Sequence, residues 1–490
     1  MSTEHMEQRK FWLTLLIVGV LFHGLASLAL PLGYDTYLHA SYVTDGLDDG
    51  EADIEWGPVR SGSDSSEPTS VSSDGKWAVW HTLMAIMFTI FGISSTSLHL
   101  FGFGLAMVCL FGIYILSKHV FDEEVALKIT ALASIYPPFI RATGRAYQEV
   151  WIAFLVCVFF TFAVLAFRHL NAQRKWALYG GSFAIVPLLL LTKGMPWKWS
   201  LAVLPVYLLF EHEKVRQRIQ PYMPLLAYLT TVLILSRNGL GVTDFELFDW
   251  IFVLLFCGLY AWLMFVYLGM FVFSSKSKES ESTPESTMLT FSWMSMGWIL
   301  CGWIAALWLV EANNSGHSMM QTFVDFRHNP RYLSLLIIPL LWSFASRGQL
   351  PEFKTTSAFS FFILACLLSF NAFMIFGAEP QREMEVFGEH IEESTSEDTT
   401  ILFLHDGAFA MHEMYVLQFS IDPESDDGHV AYWRTTDSGW QTELSDCAVL
   451  GPTEWVIVSE HDDLYDVLNW TKVEIDSDVG WALYERPSTC

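Results

Sequence analysis

The sequence predicts an α-helical polytopic membrane protein of about eleven transmembrane helices, followed by a small C-terminal extracytoplasmic α/β domain. Three observations predict it. The 490 residues are 52% apolar and only 16% charged, against about one quarter charged in average usage. The net charge of −26 is unevenly placed: residues 379–490 hold 26 acids and 4 bases, residues 32–76 hold 10 acids and 2 bases, and the remainder sums to +4. From residue 379 the long apolar runs give way to short alternating ones (TILFLH, HVAYWR, EWVIVS, WALYER) separated by Asp, Gly and Pro, the pattern of strands, with DDLYDVLNW as a short helix. About 110 residues is enough for one small core.

Apolar runs of roughly 15–24 residues, near the length a helix needs to cross the hydrocarbon core, recur through the first 377 positions. Eleven spans are read, at approximately 11–31, 98–117, 125–140, 150–167, 176–192, 199–210, 221–236, 250–273, 289–310, 332–345 and 357–377. The stretch 77–93 (WAVWHTLMAIMFTIFGI) is apolar but bounded by polar turns, and is read as a helix lying at the outer interface. With the N-terminus inside, every inner loop receives Lys or Arg, 14 of the 27 bases in all, as short cytoplasmic loops do. Both acidic regions then fall outside. If 77–93 crossed, every later loop would flip and the acidic tail would be cytoplasmic. The expected domains are a transmembrane domain, 1–377, with its first outer loop at 32–97, and an acidic extracytoplasmic domain, 378–490. Residues 44–76 read as a solvated outer loop and 274–287 as a flexible inner linker. No small-residue cleavage site follows the first apolar run, which argues against a signal peptide.

Several function classes are excluded. No basic face exists to neutralise phosphates of nucleic acid, and 7 Cys in 490 residues is not a disulfide scaffold. Cys447 and Cys490 are the outer cysteines and could pair. Asn313-Asn314-Ser315 and Asn469-Trp470-Thr471 fit a glycosylation pattern on the outer side. In the tail, His405-Asp406 and His461-Asp462-Asp463 could hold a metal but fit a solvated surface better.

Ionisable residues beside spans are costly to bury and mark functional candidates. Three groups share the outer side. Gly33-Tyr34-Asp35-Thr36-Tyr37-Leu38-His39 follows span one; if helical, it sets Asp35 and His39 one turn apart on one face, where a carboxylate can accept a hydroxyl proton or simply cap the helix. Tyr136 to Glu149 joins spans three and four and places Arg141, Arg145 and Glu149 outside, against the bias for positive charge inside; an anionic ligand or an internal ion pair accounts for them equally. Lys193, Trp197 and Lys198 lie between spans five and six, and Arg327, His328, Arg331 and Tyr332 precede span ten, where snorkelling and an aromatic belt are the ordinary explanation. Yet six of the nine bases outside both the inner loops and the tail sit in these three short loops, which suits a shared anionic ligand at the outer boundary.

These motifs resemble the GT-C superfamily, the multi-span glycosyltransferases that use polyprenyl-phosphate sugars, especially the protein mannosyltransferase and aminoarabinose transferase group. GYDTYLH is similar to that family's first outer loop with its catalytic acid, carried here by Asp35. The following apolar segment is similar to its juxtamembrane helix. YPPFIRATGRAYQEVW resembles the second outer loop, matching Arg141, Arg145 and Glu149, and HNPRYLSLLIIPLLW resembles a late His-x-x-Arg-Tyr element, matching His328, Arg331 and Tyr332. The resemblance covers roughly 1–377. The chain lacks the Trp-Trp-Asp-Tyr-Gly motif and the second-loop acid pair of the oligosaccharyltransferase branch, which argues against bulk oligosaccharide transfer to Asn and against an obligatory metal.

The resemblance implies an inverting hexosyl transfer from a polyprenyl(dolichyl)-phosphate sugar to an extracytoplasmic hydroxyl of a glycan, lipid-linked glycan, protein or surface polymer. Asp35 and Glu149 are the implied catalytic residues, and His39, Arg141, Arg145, Lys193, Trp197, Lys198, His328, Arg331 and Tyr332 the implied substrate-binding ones. The implied partners are that donor, the acceptor and membrane lipid, with no cofactor. The rivals are a solute transporter, which would place polar residues near mid-membrane, and a non-catalytic membrane protein with an acidic binding domain.

Overall fold

The computed structural model describes residues 3–48, 79–193, 195–264, 283–315, 318–320, 322, 330–352, 357–392, 394–396, 399–405, 410–424, 429–434, 439–445, 453–459, 470–473 and 481–486. The helices are α1 (Thr3–Ala29), α2 (Tyr34–Asp48), α3 (Val79–Phe91), α4 (Ser95–Val120), α5 (Glu123–Ser134), α6 (Pro137–Gly144), α7 (Glu149–Arg168), α8 (Ala172–Thr192), α9 (Leu204–Glu211), α10 (Glu213–Ile219), α11 (Pro224–Arg237), α12 (Leu247–Met264), α13 (Pro284–Ser315), α14 (Ile337–Ser346), α15 (Ala358–Phe376) and α16 (Glu383–Glu392). They are followed by β1 (Thr400–Leu404), α17 (Ala410–Ile421), β2 (Val430–Arg434), α18 (Trp440–Ser445), β3 (Trp455–Ser459), β4 (Thr471–Val473) and β5 (Trp481–Glu485). The chain divides into two compact units: Met1–Leu30 with Gly102–Ala378, and Pro31–Phe101 with Glu379–Cys490.

Among the described residues, six helices are long and apolar enough to cross a membrane: α1, α4, α7, α8, α13 and α15. A seventh results if the pair Glu213–Tyr222 and Pro224–Arg237, bent by 64°, is one span. Helices lie over all eleven expected stretches, but several are shorter than the apolar run suggests, and proline explains two of them. Over 125–140 the chain folds as α5 and α6, because the Pro137-Pro138 pair starts a new helix after an extended Tyr136 (φ −73°, ψ 114°); proline cannot continue a helix but fits its first turn. Over 199–210 a 3₁₀ segment, Trp197–Val203, precedes α9, which has proline in its first turn. The 332–345 stretch likewise opens as 3₁₀ at Pro330–Leu336 before α14. The expected interfacial segment is α3, 13 residues long and too short to span. It buries Trp80, His81, Met84 and Phe88 and exposes Ile86, Ile90 and Phe91.

Close helix contact in the first unit depends on small residues. A Cβ on Gly302 of α13 would collide with the Ala227 carbonyl oxygen of α11, and the Thr231 hydroxyl donates to the Gly302 carbonyl at 3.1 Å. Charge is sorted along the same bundle. Glu123 takes Arg9 at 3.1 Å and Lys118 at 2.8 Å. At the C-terminal end of α7, Arg168 forks onto Glu285 at 2.6 and 2.7 Å, and Lys175 meets Glu211 at 2.9 Å. All four bases and their three acidic partners belong to segments read as inner. The candidate site lies at the opposite, N-terminal end of α7.

In the second unit, a five-stranded sheet runs β2-β1-β3-β5-β4. β1 pairs parallel with β2 (Thr400↔Val430) and with β3 (Ile401↔Trp455), while β5 pairs antiparallel with β3 and β4. One face buries Leu402, Leu404, Tyr432, Trp440, Leu444, Val456, Val458 and Tyr484. The four strands expected from alternation are β1, β2, β3 and β5; β4 and the buried helix α17 were not legible, and the expected helix at 462–470 lies almost wholly outside the described residues.

Candidate active site

The strongest cluster is in the first unit and joins three separate loops. Glu149 opens α7 and has no solvent exposure. Lys193, the residue capping the end of α8, donates its Nζ to Glu149 Oε1 at 2.5 Å. Arg331, in the 3₁₀ turn before α14, brings its Nε to 3.6 Å from the same oxygen. Side-chain exposure of these two bases is 17% and 11%. Aromatic faces complete the enclosure: the Arg331 guanidinium lies 4.4 Å from the Tyr147 ring centroid and 4.9 Å from that of Tyr332, and it donates to the Tyr332 hydroxyl at 3.0 Å. Lys193 Nζ is 5.2 Å from the Tyr332 ring. With its amide oriented to suit its neighbours, Gln148 accepts from Lys193 at 3.3 Å and donates to the Thr192 carbonyl. Two cations share one carboxylate oxygen, and their cation–π contacts hold positive charge without neutralising it. An anion is the ligand this arrangement suits.

The loop carrying this cluster has an uncommon backbone. Ala146 has φ +52°; Tyr147 N–H donates to the Ala142 carbonyl at 2.8 Å and Ala146 N–H to the Thr143 carbonyl at 3.0 Å. That is a Schellman cap of α6 with alanine where glycine is usual. The turn delivers Tyr147, Gln148 and Glu149 directly after Arg145. It is pressed from outside by Gly102 of α4, where a Cβ would meet the Thr143 carbonyl oxygen at 2.6 Å. Left-handed backbone costs an L-residue about 1–2 kcal/mol, more for a β-branched one. Ala146→Gly is expected to retain fold and activity, whereas Ala146→Val is expected to lose roughly 2 kcal/mol of stability and most activity; equal thermal unfolding of the two variants would disprove the strain.

The second unit holds Asp35. It sits half-buried in the first turn of α2, where the helix N-terminus favours a carboxylate. His39 is one turn on, as the spacing predicted, and its Nδ1 lies 2.9 Å from His81 Nε2 of α3. Tyr34 is covered by the Arg382 guanidinium, 3.7 Å from its ring centroid, and Tyr37 donates its hydroxyl to Glu385 Oε2 at 2.7 Å. Burial first, and then the Glu385 charge, push the Tyr37 phenol far above its usual range.

Each expected residue that the structure describes has a definite place. Glu149, Lys193, Arg331 and Tyr332 meet in one cluster; Arg141 and Arg145 stand half-buried on the last turn and cap of α6, just before it. Asp35 and His39 share α2. Trp197 is 61% exposed and Lys198 is exposed on the 3₁₀ segment, so neither joins the cluster. His328, Asp406, His461 and both outer cysteines lie outside the described residues. His405 pairs with Glu413 at 2.9 Å and packs edge-on against Trp481. Tyr147, Gln148, His81, Arg382 and Glu385 were not singled out from sequence. Tyr147 and Gln148 stand inside the quoted loop, and the run of aromatic residue, base and acid was the available signal; Glu385 is one acid among many in the tail.

No family model and no curated protein matches the sequence. Among solved structures, the chain is similar to ArnT from Cupriavidus metallidurans bound to undecaprenyl phosphate, at 14% identity and a TM-score of 0.49, over 96% of this chain and 97% of that one. It is also similar to the Archaeoglobus fulgidus oligosaccharyltransferase tethered to an acceptor peptide, at 12% identity and TM-score 0.43 over 91% and 69%. A third likeness is to AglB of the same organism in complex with an inhibitory peptide and a dolichol-phosphate, at 10% identity and TM-score 0.39 over 92% and 69%. Because these TM-scores lie below 0.5, the function is argued from the residues of this chain.

Proposed function

We propose that the chain is an inverting membrane glycosyltransferase that moves a hexosyl group from a polyprenyl-phosphate sugar to an acceptor hydroxyl on a glycan, lipid-linked glycan or protein. The observation that carries this reading is the enclosed Lys193–Glu149–Arg331 cluster, two bases on one carboxylate, built from loops that the charge pattern assigns to one side of the membrane. In this reading the N-terminus is cytoplasmic and the acidic tail extracytoplasmic, in the cell membrane. Asp35 removes the acceptor hydroxyl proton while that oxygen attacks the anomeric carbon. The bond from that carbon to the phosphate oxygen breaks, and the polyprenyl phosphate leaves against Lys193 and Arg331. Glu149 holds both bases in place, with Arg141 and Arg145 as further phosphate partners and Tyr332 backing the guanidinium.

Membranes containing the chain are expected to transfer label from a polyprenyl-phosphate hexose; solute uptake into vesicles without such transfer would support a transporter instead. Arg331→Ala is expected to raise the donor KM by about 10- to 100-fold, the worth of a hydrogen bond to a charged group, with acceptor KM little changed. Equal loss for donor and acceptor would count against a phosphate role.

A further inference from the structure

We propose that Arg382 and Glu385, the first residues of the chain after the last span to fold back, are positioning residues for Asp35. The inference rests on Asp35 as the base. Arg382 and Glu385 bracket that carboxylate along the chain. Arg382 donates its Nε to the Leu32 carbonyl at 3.1 Å, three residues before Asp35, and stacks on Tyr34, the residue immediately before it. Glu385 takes the Tyr37 hydroxyl, two residues after it. The second oxygen of Glu385 accepts the Ser95 hydroxyl at 2.5 Å, so the same carboxylate ties α2 to the start of α4. Glu385 is only 3% exposed. A carboxylate is buried at a cost of several kcal/mol unless its lone pairs are met, and here both oxygens are.

Geometry gives this arrangement its purpose. The turn from Leu32 through Gly33 into α2 is closed locally by the Gly33 carbonyl, which accepts from Thr36 and Tyr37. Side chains from α16 fasten the same turn from far along the chain, 348 residues away in sequence for the Tyr37–Glu385 pair. α17 packs on both α16 and α2, which makes the tail part of the frame around Asp35. In this role the tail is required for chemistry at residue 35, apart from anything its acidic surface binds.

The test uses the full-length chain in membranes or nanodiscs. Glu385→Gln keeps the shape and one acceptor but removes the charge. It is expected to lower kcat by about 100-fold, the effect of a small misplacement of a reacting group, with the donor KM unmoved and amide exchange over residues 34–43 quickened. Arg382→Ala is expected to behave alike, and Arg382→Lys to recover part of the loss, since an ammonium keeps the stack on Tyr34 but not the fork. Tyr37→Phe combined with Glu385→Gln should cost no more than the worse single change, because both break one contact. Wild-type kcat in Glu385→Gln, or a lower kcat with unchanged exchange over 34–43, overturns the proposal. Asp35→Asn run in parallel separates the two ideas: if it is active the base assignment fails, and if it is inactive beside a fully active Glu385→Gln only the positioning role fails.

Discussion

Glu149→Ala is expected to destabilise the membrane-spanning unit by about 3–5 kcal/mol, the usual cost of removing one partner from a buried ion pair. The size follows from what stays behind. Lys193 and Arg331 keep side-chain exposures of 17% and 11% and lose the carboxylate they share, and at such low exposure solvent screens their charges poorly. Glu149→Gln retains volume and an acceptor for Lys193 and should cost less, about 1.5–3 kcal/mol. A double variant, Glu149→Leu with Lys193→Met, should be milder than Glu149→Ala because only Arg331, and not Lys193 as well, is then left without the shared carboxylate. Thermal unfolding in detergent measures all three. Addition of polyprenyl phosphate should raise the midpoint of Glu149→Ala more than that of the unaltered chain, since the anion then supplies the missing charge. A midpoint for Glu149→Ala equal to that of the unaltered chain would show that the cluster is not energetically coupled.

Much of this cluster was legible because charge at a membrane boundary is sorted by strong physical forces. Arg141, Arg145, Lys193 and Arg331 stand out in sequence as bases in loops that should lack them, and Glu149 as the acid beside them; three of these five meet in space. Trp197 and Lys198 carried the same signal and turn outward, because composition does not say which face a 3₁₀ segment presents. Span boundaries failed where hydropathy is blind to backbone: the apolar run 125–140 contains Pro137 and Pro138, and the break they impose leaves no trace in an average of hydrophobicity. In the tail, β1, β2, β3 and β5 announced themselves by alternation, whereas α17 (AMHEMYVLQFSI) is buried along its described length from Met414 to Ile421 and so has no amphipathic period to read. Glu385 was beyond reach for a different reason. Its partners Tyr37 and Ser95 are about 300 residues away, and nothing local distinguishes it from its acidic neighbours.

Asp35→Asn is expected to reduce transfer by about 10²- to 10⁴-fold, the range that a positioned general base contributes, with the donor KM preserved. The two outcomes separate because the proposed roles do: the proposal gives the phosphate contacts to Lys193 and Arg331 and the acceptor proton to Asp35. Asparagine is isosteric and retains an acceptor oxygen, so α2 should keep its entry turn; loss of the charge at the helix N-terminus costs only about 0.3–1 kcal/mol, too little to unfold a unit held also by Glu385 and Arg382. Asp35→Glu lengthens the side chain by one methylene and should recover part of the activity, because the base is present but displaced. His39→Ala should do less harm than Asp35→Asn, since the His39 ring is engaged with His81 at 2.9 Å and its loss leaves the carboxylate in place. Single-turnover transfer of labelled hexose, with the unfolding midpoint as a control for folding, decides the matter. An Asp35→Asn chain that folds and transfers within tenfold of the unaltered rate removes Asp35 from the chemistry, and an inactive Asp35→Asn beside a partly active Asp35→Glu assigns the proton transfer to that carboxylate.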